Sequence, residues 1–110
     1  MTNELQLTED QAALGLGALG KAVRLRLYKL LVQAGHDGLN IGQLQQLLDI
    51  PASTLSHHIL KLTQSDLVVQ TRQGREVICT ANFTLMNALA LYLTDQCCDG
   101  VHLQQDVEVL

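Results

Sequence analysis

The sequence predicts a mainly helical fold in which four helices precede a β-hairpin and a fifth helix follows it. Leucine supplies 23 of the 110 residues and aromatic residues supply only three, a composition that favours a helical core over a β-sandwich. Apolar residues recur at helical spacing along most of the chain, and a β-rich pattern replaces that spacing only between residues 67 and 80. At this length we expect one domain over residues 1–110, with loose ends at 1–7 and 101–110.

The first two helices are predicted from the signals at their ends. Thr8 and Gln11 form a capping-box pattern, which begins a helix over 9–19. Three glycines in or just after this helix lower its intrinsic stability, so packing against the rest of the chain must hold it in place. The next segment, 21–34, carries apolar residues at helical spacing and stops at Gly35, a residue typical of helix ends.

The next two helices are short and lie close together in sequence. Asn40 and Gln43 repeat the capping pattern and begin a third helix over 41–48. Pro51 cannot continue the hydrogen-bond ladder of that helix, so a fourth helix begins after it and runs over 52–65. Two short helices joined by a tight turn are typical of a helix-turn-helix.

A hairpin and a final helix complete the predicted order. The β-rich runs 67–71 and 76–80 flank the turn residues Gln73 and Gly74. Asn82 can cap a last helix over 83–98, for which Gly100 is a natural stop. A helix-turn-helix followed directly by a hairpin is a winged helix, here in the order α-α-α-α-β-β-α with a two-stranded β wing.

The net charge of −4 argues by itself against a nucleic-acid-binding protein, but the distribution of charge does not. All seven basic residues lie between positions 21 and 75, where only three acidic residues oppose them, so that segment carries +4. The two flanks hold the other eight acidic residues and no basic one, and they carry −8. A basic middle with acidic ends is a usable electrostatic footprint for DNA.

The fourth helix and the hairpin carry the side chains that we expect to contact DNA. In a winged helix the second helix of the helix-turn-helix enters the major groove, and the hairpin contacts the backbone or the minor groove. Hydroxyl groups and imidazoles can bond phosphates or base edges, and two arginines beside the hairpin turn can pair with phosphates. The candidate residues are Ser53, Thr54, Ser56, His57, His58, Lys61, Arg72 and Arg75. Taken singly, the first two are equally well explained as helix caps, and either histidine as a half-buried packing residue.

The segment from Leu30 to Glu76 resembles the ArsR/SmtB family of dimeric winged-helix repressors. The most specific part is the run Ser-Thr-Leu-Ser-His-His-Ile-Leu-Lys-Leu at 53–62, and the resemblance extends over about 12–98. It implies a homodimer that contacts through its first and last helices, binds palindromic operator DNA and leaves the DNA when an inducer binds. One departure is Gly-Lys-Ala-Val ahead of Arg24, where many members have Asp-Pro-Thr-Arg. This departure alters a helix start and does not threaten the fold.

The resemblance also directs attention to the three cysteines. The third-helix cysteine cluster and the last-helix histidine and carboxylate site of the family are both absent from the matching segments, 41–48 and 85–93. What remains is Cys79 on the second hairpin strand and the pair Cys97 and Cys98 at the predicted end of the last helix. This layout is similar to the branch of the family that responds to trivalent arsenicals, which implies these three thiols as inducer ligands.

The number of thiolates available bears on which arsenical would bind. Neighbouring residues of a helix point about 100° apart, so we expect Cys97 and Cys98 not to face one spot unless the helix end frays, and a thiol from the wing becomes useful. Arsenite has three exchangeable positions and needs three thiolates, whereas methylarsenite has two and needs two. A related, arsenite-responsive branch of the family has a further cysteine a few residues after the pair, and residues 102–105 here contain none. A bridge from Cys79 to Cys97 would therefore favour methylarsenite, with arsenite as the other inducer, and would tie the wing to the dimerisation helix. No cofactor is expected in the DNA-bound form.

Several alternatives stay open at this point. Cys79 and either Cys97 or Cys98 could instead form a disulfide or polysulfide bridge that senses oxidants or persulfide, and Cys79 could be only a small buried strand residue. A winged-helix module for protein–protein contact is a further alternative, with the acidic flanks as its docking surface. An enzyme is not expected, because no acid or oxyanion loop accompanies the cysteines and histidines. The polar start, the lack of a membrane-spanning run and the odd number of thiols predict a cytoplasmic protein that has no membrane partner.

Overall fold

Five helices and three short strands form the chain in the computed structural model, which describes residues 6–103. The elements are α1 (Glu9–Leu19), α2 (Ala22–Ala34), β1 (Leu39–Asn40), α3 (Ile41–Leu48), α4 (Ala52–Gln64), β2 (Val68–Gln73), β3 (Glu76–Ala81) and α5 (Phe83–Thr94). A turn of 3₁₀ helix, Gly35–Asp37, connects α2 to β1. The predicted fold class is confirmed: α3 and α4 form a helix-turn-helix, and β2 and β3 form the hairpin that follows it.

The predicted helix starts are formed by local hydrogen bonds. Thr8 accepts a bond from the Gln11 backbone N–H while the Gln11 side chain accepts one from the Thr8 backbone, which completes the predicted capping box. Asn40 and Gln43 make the same reciprocal pair at the start of α3. Asn82 caps α5 by accepting a bond from the Leu85 N–H. Each of these bonds satisfies one of the free N–H groups that every helix start leaves.

The sheet has one strand more than the sequence predicts. β1 pairs antiparallel with β3, Leu39 lying opposite Cys79, and β2 pairs with the other edge of β3, so the strand order is β1-β3-β2. The pairing brings the backbone before α3 against the wing, and Gly38 permits the approach. Its backbone has φ +67° and ψ −168°, and a Cβ atom there would overlap the Cys79 carbonyl oxygen and stand 2.6 Å from Thr80 Cγ2. A two-residue strand of this kind has no period for a sequence pattern to detect.

The end of the last helix differs from the prediction. α5 stops at Thr94 instead of continuing to residue 98, and residues 95–98 form turns. Gln96 and Cys98 both have positive φ, which is incompatible with a continuing right-handed helix. Thr94 also directs its hydroxyl to the Ala90 and Leu91 carbonyl oxygens, a bond that competes with the helix. The expected stop at Gly100 is therefore wrong.

The core lies between the helices and one face of the sheet. Its fully buried large side chains come from α2, α3, α4, the residue before β2 and the middle of β3: Leu27, Leu31, Leu44, Leu55, Leu62, Leu67 and Cys79. Of the ends expected to be loose, Leu7 is half-buried and packs against this core, and Gln6 and residues 101–103 are exposed. Residues 1–5 and 104–110 lie outside the described residues. No helix within residues 6–103 has both the length and the apolar character needed to cross a bilayer.

The close approach at Gly38 gives a direct test of the sheet. Gly35 has a similar backbone, φ +72° and ψ −151°, but no atom lies within 4 Å of the place that a Cβ would take. Gly35→Ala therefore measures only the cost of placing a side chain on this backbone conformation, about 1–3 kcal/mol of unfolding free energy. Gly38→Ala adds overlap with β3, and we expect it to lower the free energy of unfolding by a further 1–3 kcal/mol or so. Urea unfolding of the two variants measures the difference. Equal losses would show that the Gly38–β3 approach is not a constraint.

Candidate nucleic-acid interface and thiol site

The recognition face is the solvent side of α4, defined by Ser53, Thr54, Ser56, His57 and Lys61. The opposite side of the helix is buried through Leu55, Ile59 and Leu62, so the face is held outward by the packing of the core. Pro51 is the N-cap of α4 and no side chain caps the helix, so the hydroxyls of Ser53 and Thr54 are not used as caps. All five side chains of the recognition face are exposed and stay predicted DNA contacts.

His58 does not belong to the recognition face, and the expectation that it lies on the solvent side is wrong. Only 6% of the residue is exposed, because His58 lies on the buried side of α4. Its Nδ1 atom lies 3.4 Å from a terminal guanidinium nitrogen of Arg24, on α2. Burial, with the nearby charge of Arg24 and the weaker effects of His57 and Lys21, holds the pKa of His58 below its usual value. The sequence left open that one of the two histidines is a packing residue, and His58 is that histidine.

The wing presents its two arginines to solvent beside the turn. Arg72 lies opposite Val77 in the β2–β3 pairing, and Arg75 lies in the turn between Gln73 and Glu76. Both side chains are exposed, as expected for cations that contact phosphates. The wing is also connected to the helix-turn-helix, because the Asn40 side chain donates a 3.2 Å hydrogen bond to the Glu76 carboxylate while it caps α3. One residue thus connects the start of α3 to the base of the wing turn.

Cys79 is a buried strand residue. None of its surface is exposed, and its only side-chain hydrogen bond among the described residues comes from Gln70 Nε2, 3.9 Å from its sulfur. Burial raises the pKa of the Cys79 thiol, and the bond from Gln70 offsets part of that shift. A protonated, buried thiol reacts slowly, because the thiolate is the nucleophile and the metal ligand.

Cys97 and Cys98 lie together in the exposed turns after α5. Their sulfur atoms are 3.2 Å apart, so the two thiols face one spot. The sequence allows this only if the helix end frays, and α5 does end at Thr94, before both cysteines, with Cys98 at φ +65°. The hydrogen bond between the two thiols raises the pKa of Cys97. Within residues 6–103 no three His, Cys, Asp or Glu side chains converge as a metal site, so Cys79 does not join the pair.

Arg24 is a residue of this region for which the sequence predicts no role. Its guanidinium contacts both the end of α1 and the buried His58, so Arg24 supports α4 from behind the recognition face. A basic residue that follows a helix end is a weak signal, since such residues are also common on solvated surfaces. The contact with His58 joins positions 34 residues apart and has no signature in sequence.

The chain is similar to known transcriptional regulators. Residues 19–71 match the family model of a helix-turn-helix domain. The transcriptional repressor PagR of Bacillus anthracis is 33% identical over 79 residues, which cover 72% of this chain and 76% of PagR. The HTH-type transcriptional regulator YgaV of Escherichia coli (strain K12) is 25% identical over 95 residues, or 86% of this chain and 94% of YgaV.

A solved structure with the same fold comes from Mycobacterium bovis. It is the homodimeric winged helix-turn-helix DNA-binding domain of a possible ArsR-family transcriptional regulator, with a TM-score of 0.63 and 22% identity over 86% of this chain and 87% of that one. None of these similar proteins is named as an enzyme, and the winged helix-turn-helix of the Mycobacterium bovis domain is the fold that this chain's own helix and strand signals predict.

The difference in burial predicts different reactivity for the three thiols. With N-ethylmaleimide in excess, we expect the native protein to take up two labels quickly, at Cys97 and Cys98, and a third only after unfolding in guanidinium chloride. Mass spectrometry of the labelled peptides measures this. The Cys79→Ser variant is the matched control and should take up two labels in both states. Labelling of Cys79 at the rate of the other two would contradict the buried position.

Proposed function

Because this chain belongs to the winged helix-turn-helix transcriptional repressors of the ArsR and PagR type, we propose that it binds operator DNA as a homodimer and is released by a thiol-reactive inducer. The observation that carries the DNA part is the recognition face of α4, exposed next to the two wing arginines while the reverse of the helix is buried. Hydroxyls, an imidazole and Lys61 can bond base edges and phosphates in the major groove. Control of transcription at DNA also supports the cytoplasm as its location.

The homodimer is supported by apolar side chains that this chain leaves uncovered. On α1 these are Leu14 and Leu16, and on α5 they are Leu91, Tyr92 and Leu93, with Leu14 58% and Leu93 63% exposed. α2, α3 and α4 each expose a single large apolar side chain (Leu25, Leu47 and Leu60), so the exposed apolar surface is greatest on α1 and α5, which is typical of a protein–protein interface. The homodimeric domain from Mycobacterium bovis has the same fold. We therefore propose that α1 and α5 of two copies cover each other and set the spacing of the two α4 helices.

The inducer that we propose is a trivalent arsenical, with methylarsenite favoured over arsenite. Two thiols whose sulfurs lie 3.2 Å apart in exposed turns suit an arsenic atom that carries two hydroxyl groups. Two As–S bonds then replace two As–O bonds, and each hydroxyl group leaves as water with the proton of one thiol. Thiolates are soft donors that select such thiophilic acceptors. Arsenite would need a third thiolate, and Cys79 would supply one only if the sheet around it opened.

Binding at the pair acts on DNA through α5. The turns after α5 have two residues with positive φ, and closing a chelate ring on them would change the end of the dimerisation helix. A coupling free energy of roughly 1–3 kcal/mol between the two sites would weaken operator binding about 5–150-fold. The redox alternative that the sequence left open was a bridge from Cys79 to Cys97 or Cys98, which the burial of Cys79 does not favour. The 3.2 Å between the Cys97 and Cys98 sulfurs favours a disulfide or polysulfide within the exposed pair, which would change the end of α5 in the same way.

DNA binding by the wing has a measurable salt signature. We expect the wild-type protein to bind a duplex that it selects from a random-sequence pool, with affinity that falls steeply as salt rises. Arg72→Gln with Arg75→Gln should weaken binding roughly tenfold or more and lower the salt slope by about 2, because each lost phosphate contact removes about 1. Fluorescence anisotropy at several salt concentrations measures both quantities.

The matched control removes the same charge elsewhere. Arg26→Gln with Lys29→Gln takes two exposed cations from α2 and should leave the salt slope unchanged. Wild-type binding with no salt dependence would rule out the repressor proposal, and equal slopes for both double variants would rule out the wing contacts.

The inducer is identified by four titrations of the protein bound to the selected duplex, with methylarsenite, arsenite, zinc and peroxide. We expect release by methylarsenite at the lowest concentration, and loss of release in Cys97→Ser and Cys98→Ser. Cys79→Ser should respond as the wild type does if the pair alone holds the arsenical, and should fail to respond if the bridge from Cys79 to Cys97 forms. Release by peroxide that dithiothreitol reverses, together with indifference to both arsenicals, would replace the arsenical with a redox signal.

A further inference from the structure

Arg24 occupies a position between two elements of the recognition machinery. Its Nε donates a 2.6 Å hydrogen bond to the Ala18 carbonyl oxygen, in the last turn of α1. One of its terminal nitrogens lies 3.4 Å from His58 Nδ1, on the buried side of α4. The guanidinium group carries several N–H donors in a fixed plane, so one side chain can hold both partners at once.

The bond to Ala18 provides a hydrogen-bond donor for a carbonyl group at the end of α1. The last four carbonyl groups of a helix have no partner within it, and the helix end carries a partial negative charge. No basic residue lies in the last turn of α1 itself. Arg24 supplies the missing cation from the next helix, which holds the end of α1 against the start of α2.

The bond to His58 defines the protonation state of the imidazole. A guanidinium can only donate, so Nδ1 must accept and the ring must be neutral with its proton on Nε2. The charged and titratable groups that act on the ring are Arg24 and Lys21 of the α1–α2 region and His57 of its own helix, and α3 has no ionisable side chain. Protonation of His58 would turn the contact into a repulsion between two cations.

α1 also contacts α5. A Cβ atom at Gly15 would stand 3.1 Å from Leu89 Cδ1, so the two helices are in close contact there. α1 therefore contacts both α5, which precedes the thiol pair, and Arg24, which contacts α4. The orientation of α4 relative to α1 decides how the recognition face meets DNA in any dimer that forms through α1.

We propose that Arg24 is a positioning residue for DNA binding, which holds the recognition helix to the end of α1 through its contact with His58. Arg24 is half-buried and acts through α4, without a contact of its own to DNA. The proposal rests on the proposed DNA binding of α4, and it predicts that loss of the contact lowers affinity without removing a phosphate contact.

Arg24→Lys tests this while it keeps the charge. Lysine has one compact ammonium group and cannot hold both partners in the plane of a guanidinium. We expect roughly a tenfold loss of affinity for the selected duplex, the size of one hydrogen bond to a charged group, with an unchanged salt slope and an unchanged circular dichroism spectrum. Arg26→Lys, an exposed arginine of the same helix, is the matched control and should bind as the wild type does.

The outcomes separate this proposal from the proposed function. Wild-type protein that fails to bind DNA overturns both. Wild-type binding with equal affinity for Arg24→Lys overturns only the positioning role. A loss of affinity together with a salt slope lower by about 1 also overturns it, because Arg24 would then contact a phosphate directly.

A pH profile tests the same contact without changing Arg24. Both proteins compared carry His57→Gln, so that His58 is the one imidazole of α4 in which they differ. In His57→Gln alone, we expect affinity to stay level from a pH of about 7.5 down to about 6.5 and to fall several-fold only at lower pH. Burial and Arg24 hold the pKa of His58 below its usual value of about 6.5, so the contact with Arg24 is lost only once the ring protonates below that value. In His57→Gln with His58→Gln the amide oxygen still accepts from Arg24 and does not titrate, so the fall should disappear. Parallel profiles for the two proteins would overturn the proposal.

Discussion

The burial of one face of α4 sets both the direction of the recognition face and the place where the wing begins. Leu55 and Leu62 are fully buried and Ile59 nearly so, and each buried side chain of this size contributes about 1.5–3 kcal/mol. Residues four and seven positions apart lie on one side of a helix, so their burial turns the recognition face to solvent. The same packing ends in a chain reversal, where the Leu67 N–H donates to the Leu62 carbonyl oxygen at 3.0 Å and the wing begins.

Polar contacts at the edge of this core join the elements that meet DNA. Asn40 connects the start of α3 to the wing through Glu76, and Arg24 connects the end of α1 to α4 through His58. A hydrogen bond specifies a direction that apolar packing does not, so these contacts orient helices whose position the core has already set. The exposed Asn40 contact contributes little free energy, whereas the contact at His58 is shielded from water and is the stronger constraint.

The thiols divide into one group inside the core and one outside. Cys79 packs between the strands as a small apolar residue, and its burial raises its pKa and restricts its access to any inducer. Cys97 and Cys98 lie in turns where the backbone brings their sulfurs together. The protein therefore presents an exposed dithiol next to the helix that we propose as its dimer interface, and a change at that dithiol begins where two subunits would meet.

The helices, the hairpin and most of the recognition face could be predicted from the sequence, because they follow from interactions within a few residues. The capping pairs at Thr8 and Asn40 and the apolar spacing of α4 are local, and each appears in the structure as predicted. The pairing of β1 with β3, the burial of His58 against Arg24 and the closeness of the Cys97 and Cys98 sulfurs could be seen only in the folded chain. The first two depend on groups more than 30 residues apart in the chain, and the third depends on a positive φ that no residue type at that position announces. Side-chain periodicity carries no information about any of these three features. It shows which face of a helix or strand is apolar, and not which residues that face contacts.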